Sequence, residues 1–236
     1  MIKLKKNFVS HVPVNKNLLK ELISIQKKYP SKNQNSELLN SNMFKKFIIN
    51  CEKKIRFSNK KALVLSFNCN NKYKIDHILM KNITFSASKI LGRLIIQNKE
   101  GNELVVVYDR NRKFSIDKGA RYHQTREGGS IHTDNVNVSL KWDYMILSCL
   151  SPGLVGGETI LVSAKDIYQK LSKKFRIAKK ILQQNFYWEK RGVSETFYKA
   201  PILKINKKKE PEFRYLRPYL ESAHIKKKKQ VLQCKF

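Results

Sequence analysis

Residues 121–162, RYHQTREGGSIHTDNVNVSLKWDYMILSCLSPGLVGGETILV, constrain the fold of this chain more than any other stretch. The pair His132-x-Asp134 follows Gly128 and Gly129, an apolar run occupies residues 144–150, and the stretch closes on Gly156, Gly157, Glu158 and Thr159. Apolar runs this short, separated by glycine pairs, cannot continue as one amphipathic helix; they predict strands joined by tight turns. At a strand end, residues i and i+2 share a face, so an imidazole nitrogen of His132 and a carboxylate oxygen of Asp134 can reach one cation together.

The spacing is weak by itself. With 5 His and 18 acidic residues in 236 positions, about 0.4 such pairs arise by chance. Two readings therefore stay open: half of a metal site, or ordinary hairpin turns with a core or capping histidine. If a metal is held, Fe(II) suits a mixed nitrogen and oxygen set, and two His with one carboxylate leave positions for a bidentate cosubstrate and dioxygen. The Thr159 hydroxyl can meet a carboxylate.

The chain is long enough for one sizeable domain, and 41% apolar residues predict a packed core rather than disorder. A net charge of +31 raises a nucleic-acid partner. The excess is nearly all Lys, spread along the chain with Asn and Ile and without aromatic interleaving, so a solvated surface is the expectation, including residues 207–209 and 226–229. The N-terminus lacks an apolar core of a signal peptide and no run reaches the length of a membrane span, which predicts a cytoplasmic protein that meets no membrane. Cys51, Cys69, Cys149 and Cys234 are scattered without metal or disulfide spacing, and each reads as a small buried hydrophobe.

Along the chain, Leu18, Leu19, Leu22, Ile23 and Ile25 predict a helix that stops at Pro30. Residues 31–42, rich in Ser, Asn and Gln, read as a connector to a second helix over residues 43–54. Residues 62–67 read as a buried strand, and residues 75–91 as a helix stopped by Gly92. Residues 94–97 and 104–108 predict a hairpin, and residues 144–150 and 158–162 a second strand pair. Ser163 is a candidate cap for a helix through residue 182, residues 185–188 and 196–198 are extended, and a last helix starts at Pro218.

The runs GGSIHTDNVN and WDYMILSCLSPGLVGGETILVS resemble the clavaminate-synthase-like, taurine-dioxygenase-like (TauD/TfdA-like) branch of the Fe(II)/2-oxoglutarate-dependent oxygenases. Leu91, Gly92 and Arg93, then Arg121, Tyr122 and His123, then FRYLRPY over residues 213–219, resemble the same family in the same order. The resemblance implies a mixed α and β fold with a mainly β core, a double-stranded β-helix or jelly roll with flanking helices. Residues 1–60 are then an N-terminal helical cover and 61–236 the oxygenase core of one domain. It implies His132 and Asp134 as iron ligands, Thr159 as a contact to the 2-oxoglutarate carboxylate, and a small-molecule substrate such as an amino acid or natural-product intermediate, oxidised with dioxygen. Asp134 keeps the carboxylate that halogenating relatives lack, which implies hydroxylation, desaturation or a related oxidation. Arg121, Gln124, Arg126 and Asn137 are polar residues near the pair and are candidate substrate contacts.

The family's third ligand is a distal His followed by an Arg that forks onto the cosubstrate. After Asp134 the sequence holds one His, His224, in a helical context. The expectation is therefore a jelly roll lacking its last strands, a truncated member of weak or absent activity. The alternatives are a catalytically silent remnant kept as a binding protein, or a basic nucleic-acid-binding protein.

Overall fold

The computed structural model describes residues 9–58, 61–67, 74–97, 100–108, 129–137, 142–190, 194 and 196–227. The chain divides into two units, one of Met1–Ile95 with Trp142–Leu154, the other of Ile96–Lys141 with Val155–Phe236.

In the first unit, strand β1 (Val9–Pro13) pairs in parallel with β2 (Ala62–Ser66), in register from Val9↔Ala62 to Pro13↔Ser66. Helix α1 (Lys16–Lys28) begins where the Asn15 side chain accepts the Leu18 amide at 2.8 Å and stops before Pro30, which cannot extend it. Helix α2 spans Ser31–Asn40. Ser41 Oγ then accepts the Phe44 amide at 2.9 Å to start α3 (Asn42–Phe57), and Asp76 Oδ1 accepts the Leu79 amide at 2.7 Å to start α4 (His77–Leu91). Helix α4 ends at Gly92, whose φ of +156° is open to glycine. Leu18, Leu22, Leu38, Phe44 and Leu79 are sealed in the common core.

The second unit opens its helical part at Ser163, whose hydroxyl accepts the Asp166 amide at 3.3 Å ahead of α5 (Ala164–Lys174). Phe175 breaks the helix and α6 (Arg176–Leu182) follows. Strands β3 (Asn185–Glu189) and β4 (Phe197–Pro201) are antiparallel, with Trp188 fully buried and its indole N–H donating to the Ala200 carbonyl at 2.9 Å. A second hairpin, β5 (Leu203–Ile205) with β6 (Pro211–Phe213), turns where Asn206 Oδ1 accepts the amides of Lys208 and Glu210, each at 2.9 Å. Helix α7 (Arg217–Lys226) carries Pro218 in its first turn and packs on β3. There the Tyr187 amide donates to His224 Nε2 at 3.1 Å and Lys226 pairs with Glu189 at 2.6 Å. Val136, Phe186, Trp188, Ile202, Leu216 and Tyr219 form the core of this unit.

The result is a mixed α and β structure with short strands. Helices α1, α3, α4 and α7 and strands β2, β3 and β4 lie close to where the sequence predicts them, whereas the single helix expected through residue 182 is two, α5 and α6, broken at Phe175. Residues 31–40 do not connect; they form α2, because Leu38 is completely buried and the Gln34 amide bonds the Tyr29 carbonyl at 3.2 Å, a burial that outweighs weak local propensity. Strand β2 is half-buried rather than buried, with Val64 45% exposed. Hairpin β5–β6 was not predicted, since its strands are only three residues long.

Two predicted strand pairs are absent as ladders among the described residues. Around Gly101 the chain turns and the Gln97 amide bonds the Asn102 carbonyl at 2.8 Å, yet residues 94–97 and 104–108 carry no strand. Residues 144–149 keep the alternation of a strand. Tyr144 donates to Glu52 at 2.7 Å, Ile146 packs on the core and Ser148 meets Thr84 at 2.6 Å, while Met145 and Leu147 point outward. Side chains hold this extended segment in place, without a backbone ladder among the described residues. Residues 158–162 are likewise without regular structure, and helix outweighs strand, so the mainly β balance is not what the described residues show. Cys51 is buried as expected, Cys149 is exposed, and Cys69 and Cys234 lie outside the described residues. Among the described residues no helix is long and apolar enough to cross a membrane.

If α2 is part of the core, Leu38→Ala costs about 2–5 kcal/mol in denaturant unfolding, while Lys32→Ala on its exposed face stays within about 0.5 kcal/mol. Equal, small effects at both positions would return residues 31–40 to the status of a connector.

Candidate metal centre

The segment 129–137 is built from the core outward. Val136 is 1% exposed in the apolar core of its unit, and Asn135 just before it adopts φ +50°, a left-handed conformation that Asn tolerates better than most residues. These two residues lie in the turn that contains Asp134. The Val136 carbonyl accepts from the Tyr198 hydroxyl and from Arg214 Nη1 at 3.3 Å. Upstream, the Thr133 amide donates to the Tyr215 carbonyl at 2.7 Å and the Tyr215 amide donates to Thr133 Oγ1 at 2.9 Å.

On either side of Thr133, His132 and Asp134 converge. His132 Nε2 lies 3.4 Å from Asp134 Oδ1, and His132 Nδ1 lies 2.6 Å from the Ser130 carbonyl. A carbonyl only accepts, so Nδ1 carries the proton and Nε2 is the nitrogen turned to the carboxylate. The Asp134 carboxylate beside it pushes the His132 pKa up, against the downward effect of burial and with help from the Ser130 carbonyl. A second proton taken up at Nε2 faces Oδ1, where a cation shared by the two would also sit. The donor chemistry fits: one neutral nitrogen and one carboxylate oxygen, converging, with the second ring nitrogen fixed by a backbone acceptor as metal-bound imidazoles commonly are. The side chains are 26% and 45% exposed, so the pair is open to solvent. A turn, rather than the strand end inferred from the sequence, brings them together.

The other candidate residues distribute unevenly. Thr159 is exposed, in a stretch without regular structure, and among the described residues makes no hydrogen bond to the pair. Asn137 is buried, 5% exposed. Arg121, Gln124 and Arg126, with Gly128, lie outside the described residues. His224 is engaged elsewhere: its Nε2 accepts the Tyr187 amide, its Nδ1 is buried with no partner among the described residues, and burial pushes its pKa down. No group of three or more His, Cys, Asp or Glu suited to a metal occurs among the described residues, so His224 is not joined to the pair. Sequence reasoning did not single out Thr133, Tyr198, Arg214 and Tyr215 for holding the turn. Arg214 and Tyr215 stand in the FRYLRPY run, but partners 62 to 82 residues away leave no local signal of the contact.

The family model described as Taurine catabolism dioxygenase TauD, TfdA family matches residues 86–231. The chain belongs to this family. Comparisons with curated proteins and with solved structures find no match. Members of the TauD, TfdA family depend on Fe(II) and 2-oxoglutarate, and the matched span contains His132, Asp134, Thr159, Arg214 and His224.

The two histidines carry opposite pH signatures. His224 has a lowered folded pKa, so its contribution to stability is complete above its ordinary value of 6.5 and declines as pH falls below it. His132, with a raised value, contributes in the opposite sense, and the wild-type profile sums both. The stability advantage of wild type over His224→Gln, followed by denaturant unfolding, should therefore shrink as pH is lowered from 7.5 to about 5. A constant difference across that range would show that the imidazole is not held neutral.

Proposed function

We propose that this member of the TauD, TfdA family is an Fe(II)/2-oxoglutarate-dependent oxygenase of small molecules, amino acids or natural-product intermediates among them. The observation that carries the proposal is the convergence of His132 Nε2 and Asp134 Oδ1 at 3.4 Å, with Nδ1 fixed on the Ser130 carbonyl, in a chain of this family. His132 and Asp134 supply two of the iron ligands. Iron, when bound, supplies the redox chemistry that couples dioxygen and 2-oxoglutarate, released as succinate and carbon dioxide, to oxidation of the substrate.

The chain's own residues hold and exclude. Asp134 contributes a negative charge that offsets part of the metal's, and His132 ligates only as the neutral imidazole, so binding tightens with rising pH. Thr159 offers a hydroxyl to the cosubstrate carboxylate; Arg121, Gln124 and Arg126 are donors suited to polar or acidic substrate groups, and Asn137 both donates and accepts. The fold proposed around these residues is a jelly-roll core over residues 61–236 with the helices of residues 1–60 as cover, β1 of that segment pairing with β2. The dispersed lysines behind the +31 charge face solvent, and the setting is cytoplasmic, away from membranes and nucleic acid.

One observation favours a second reading. The described residues bring together two donors and no third, which suits a silent member of the family that binds and does not turn over. Titration with Fe(II) under anaerobic conditions, followed by a succinate assay with 2-oxoglutarate, separates the two. The oxygenase reading expects stoichiometric Fe(II) binding that His132→Ala and Asp134→Ala weaken by at least about 100-fold, with succinate formation lost in parallel. No Fe(II) binding, or succinate formation indifferent to both substitutions, overturns it.

A further inference from the structure

We propose that Tyr198 and Arg214 are positioning residues for the His132 and Asp134 pair, acting through the backbone of the turn that carries Asp134; the inference rests on the iron-site reading above. The Asp134 turn is anchored on both sides. On the N-terminal side, one residue away, Thr133 exchanges two hydrogen bonds with the backbone of Tyr215 at 2.7 and 2.9 Å. On the C-terminal side, two residues away, the Val136 side chain is sealed in the core and the Val136 carbonyl accepts from both the Tyr198 hydroxyl and Arg214 Nη1.

The clasp is itself braced. Arg214 Nη1 donates to the Tyr198 oxygen at 2.6 Å, the guanidinium lies 5.3 Å from the centre of the Tyr198 ring, and the Arg214 amide donates to the Ile202 carbonyl at 2.8 Å. Tyr198 comes from β4, and Arg214 directly follows β6. The two hairpins of the unit therefore both reach the same carbonyl. This carbonyl needs a partner, because burying Val136 takes its peptide out of water. Two donors, themselves hydrogen-bonded to each other, meet it and fix the position of the carbonyl oxygen.

The consequence falls on Asp134. Its carboxylate is 45% exposed, so packing does not restrain it; its direction follows from the backbone of the turn, where Asn135 is already in a sparsely populated conformation. Without the clasp, the turn is free to relax, and the two donors lose the fixed separation that makes them a chelating pair.

The test compares wild type with Tyr198→Phe, which keeps the ring and removes the hydroxyl, Arg214→Met, which removes the donors, and Arg214→Lys, which restores a charged donor without the planar fork. Amide hydrogen exchange is measured on the metal-free proteins, and Co(II), in place of Fe(II), is titrated by its absorption. Expected are exchange at Thr133, Asn135 and Val136 faster by about 10-fold or more in Tyr198→Phe and Arg214→Met, with the β3–β4 amides unchanged, and Co(II) affinity lower by about 10- to 100-fold, partly recovered in Arg214→Lys.

Folded variants that leave turn exchange and Co(II) affinity at wild-type values overturn the proposal. So does faster exchange spread evenly over the unit, which would make Tyr198 and Arg214 general supports of the fold. Tyr198→Phe is the milder change and decides the matter if Arg214→Met does not fold. A wild-type protein that binds no Co(II) overturns the iron-site reading and this inference with it, whereas wild-type binding that the variants leave intact overturns this inference alone.

Discussion

The insertion of Val136 into the core of its unit is the interaction on which the rest of the candidate site depends. A valine that is 1% exposed brings its own peptide group into the protein interior, and an unmet carbonyl there costs as much as the burial gains. The chain meets that demand with Tyr198 and Arg214, one from each hairpin. Once the Val136 carbonyl is held on one side and Thr133 is held against Tyr215 on the other, Asp134 and Asn135 between them have little freedom. His132, just outside that span, turns Nε2 to Asp134 with Nδ1 on the Ser130 carbonyl.

The electrostatics of the pair follow from the same arrangement. An imidazole nitrogen and a carboxylate oxygen 3.4 Å apart repel unless something positive sits between them, and the raised pKa of His132 expresses that. His224 shows the contrasting case in the same unit. Its Nε2 accepts a backbone amide, nothing anionic faces it at hydrogen-bond distance among the described residues, and burial pushes its pKa down. Two histidines of one unit are thus shifted in opposite directions, His132 upward by the carboxylate opposite Nε2 and His224 downward by burial.

Much of the local structure was legible. Asn15, Ser41, Asp76 and Ser163 each accept an amide at the start of a helix, and such residues stand just before apolar periodic runs where capping is the local optimum. Pro30 and Gly92 mark helix ends for equally local reasons. Residues 31–40 were not legible, because their helix depends on Leu38 and Gln34 finding partners on other elements. The alternation of residues 144–149 was legible and its meaning was not: the inward residues are held by Glu52, Thr84 and the core, and the backbone ladder that alternation normally implies is absent among the described residues.

The sequence by itself determined the starts of α1, α3, α4 and α5 and the stops at Pro30 and Gly92, the extended character of residues 185–188 and 196–198, the chemical identity of the His132 and Asp134 donors and their resemblance to a family of iron oxygenases. Each of these depends on neighbours within a few residues or on a short pattern. Tertiary structure alone decided that a turn, not a strand end, brings the two donors together, that His224 is committed to Tyr187, and that Tyr198, Arg214 and Tyr215 hold the turn in place. The physical reason is range: those contacts join residues 37 to 82 positions apart, and burying one valine's peptide, not any local preference, selects which distant donors must meet it.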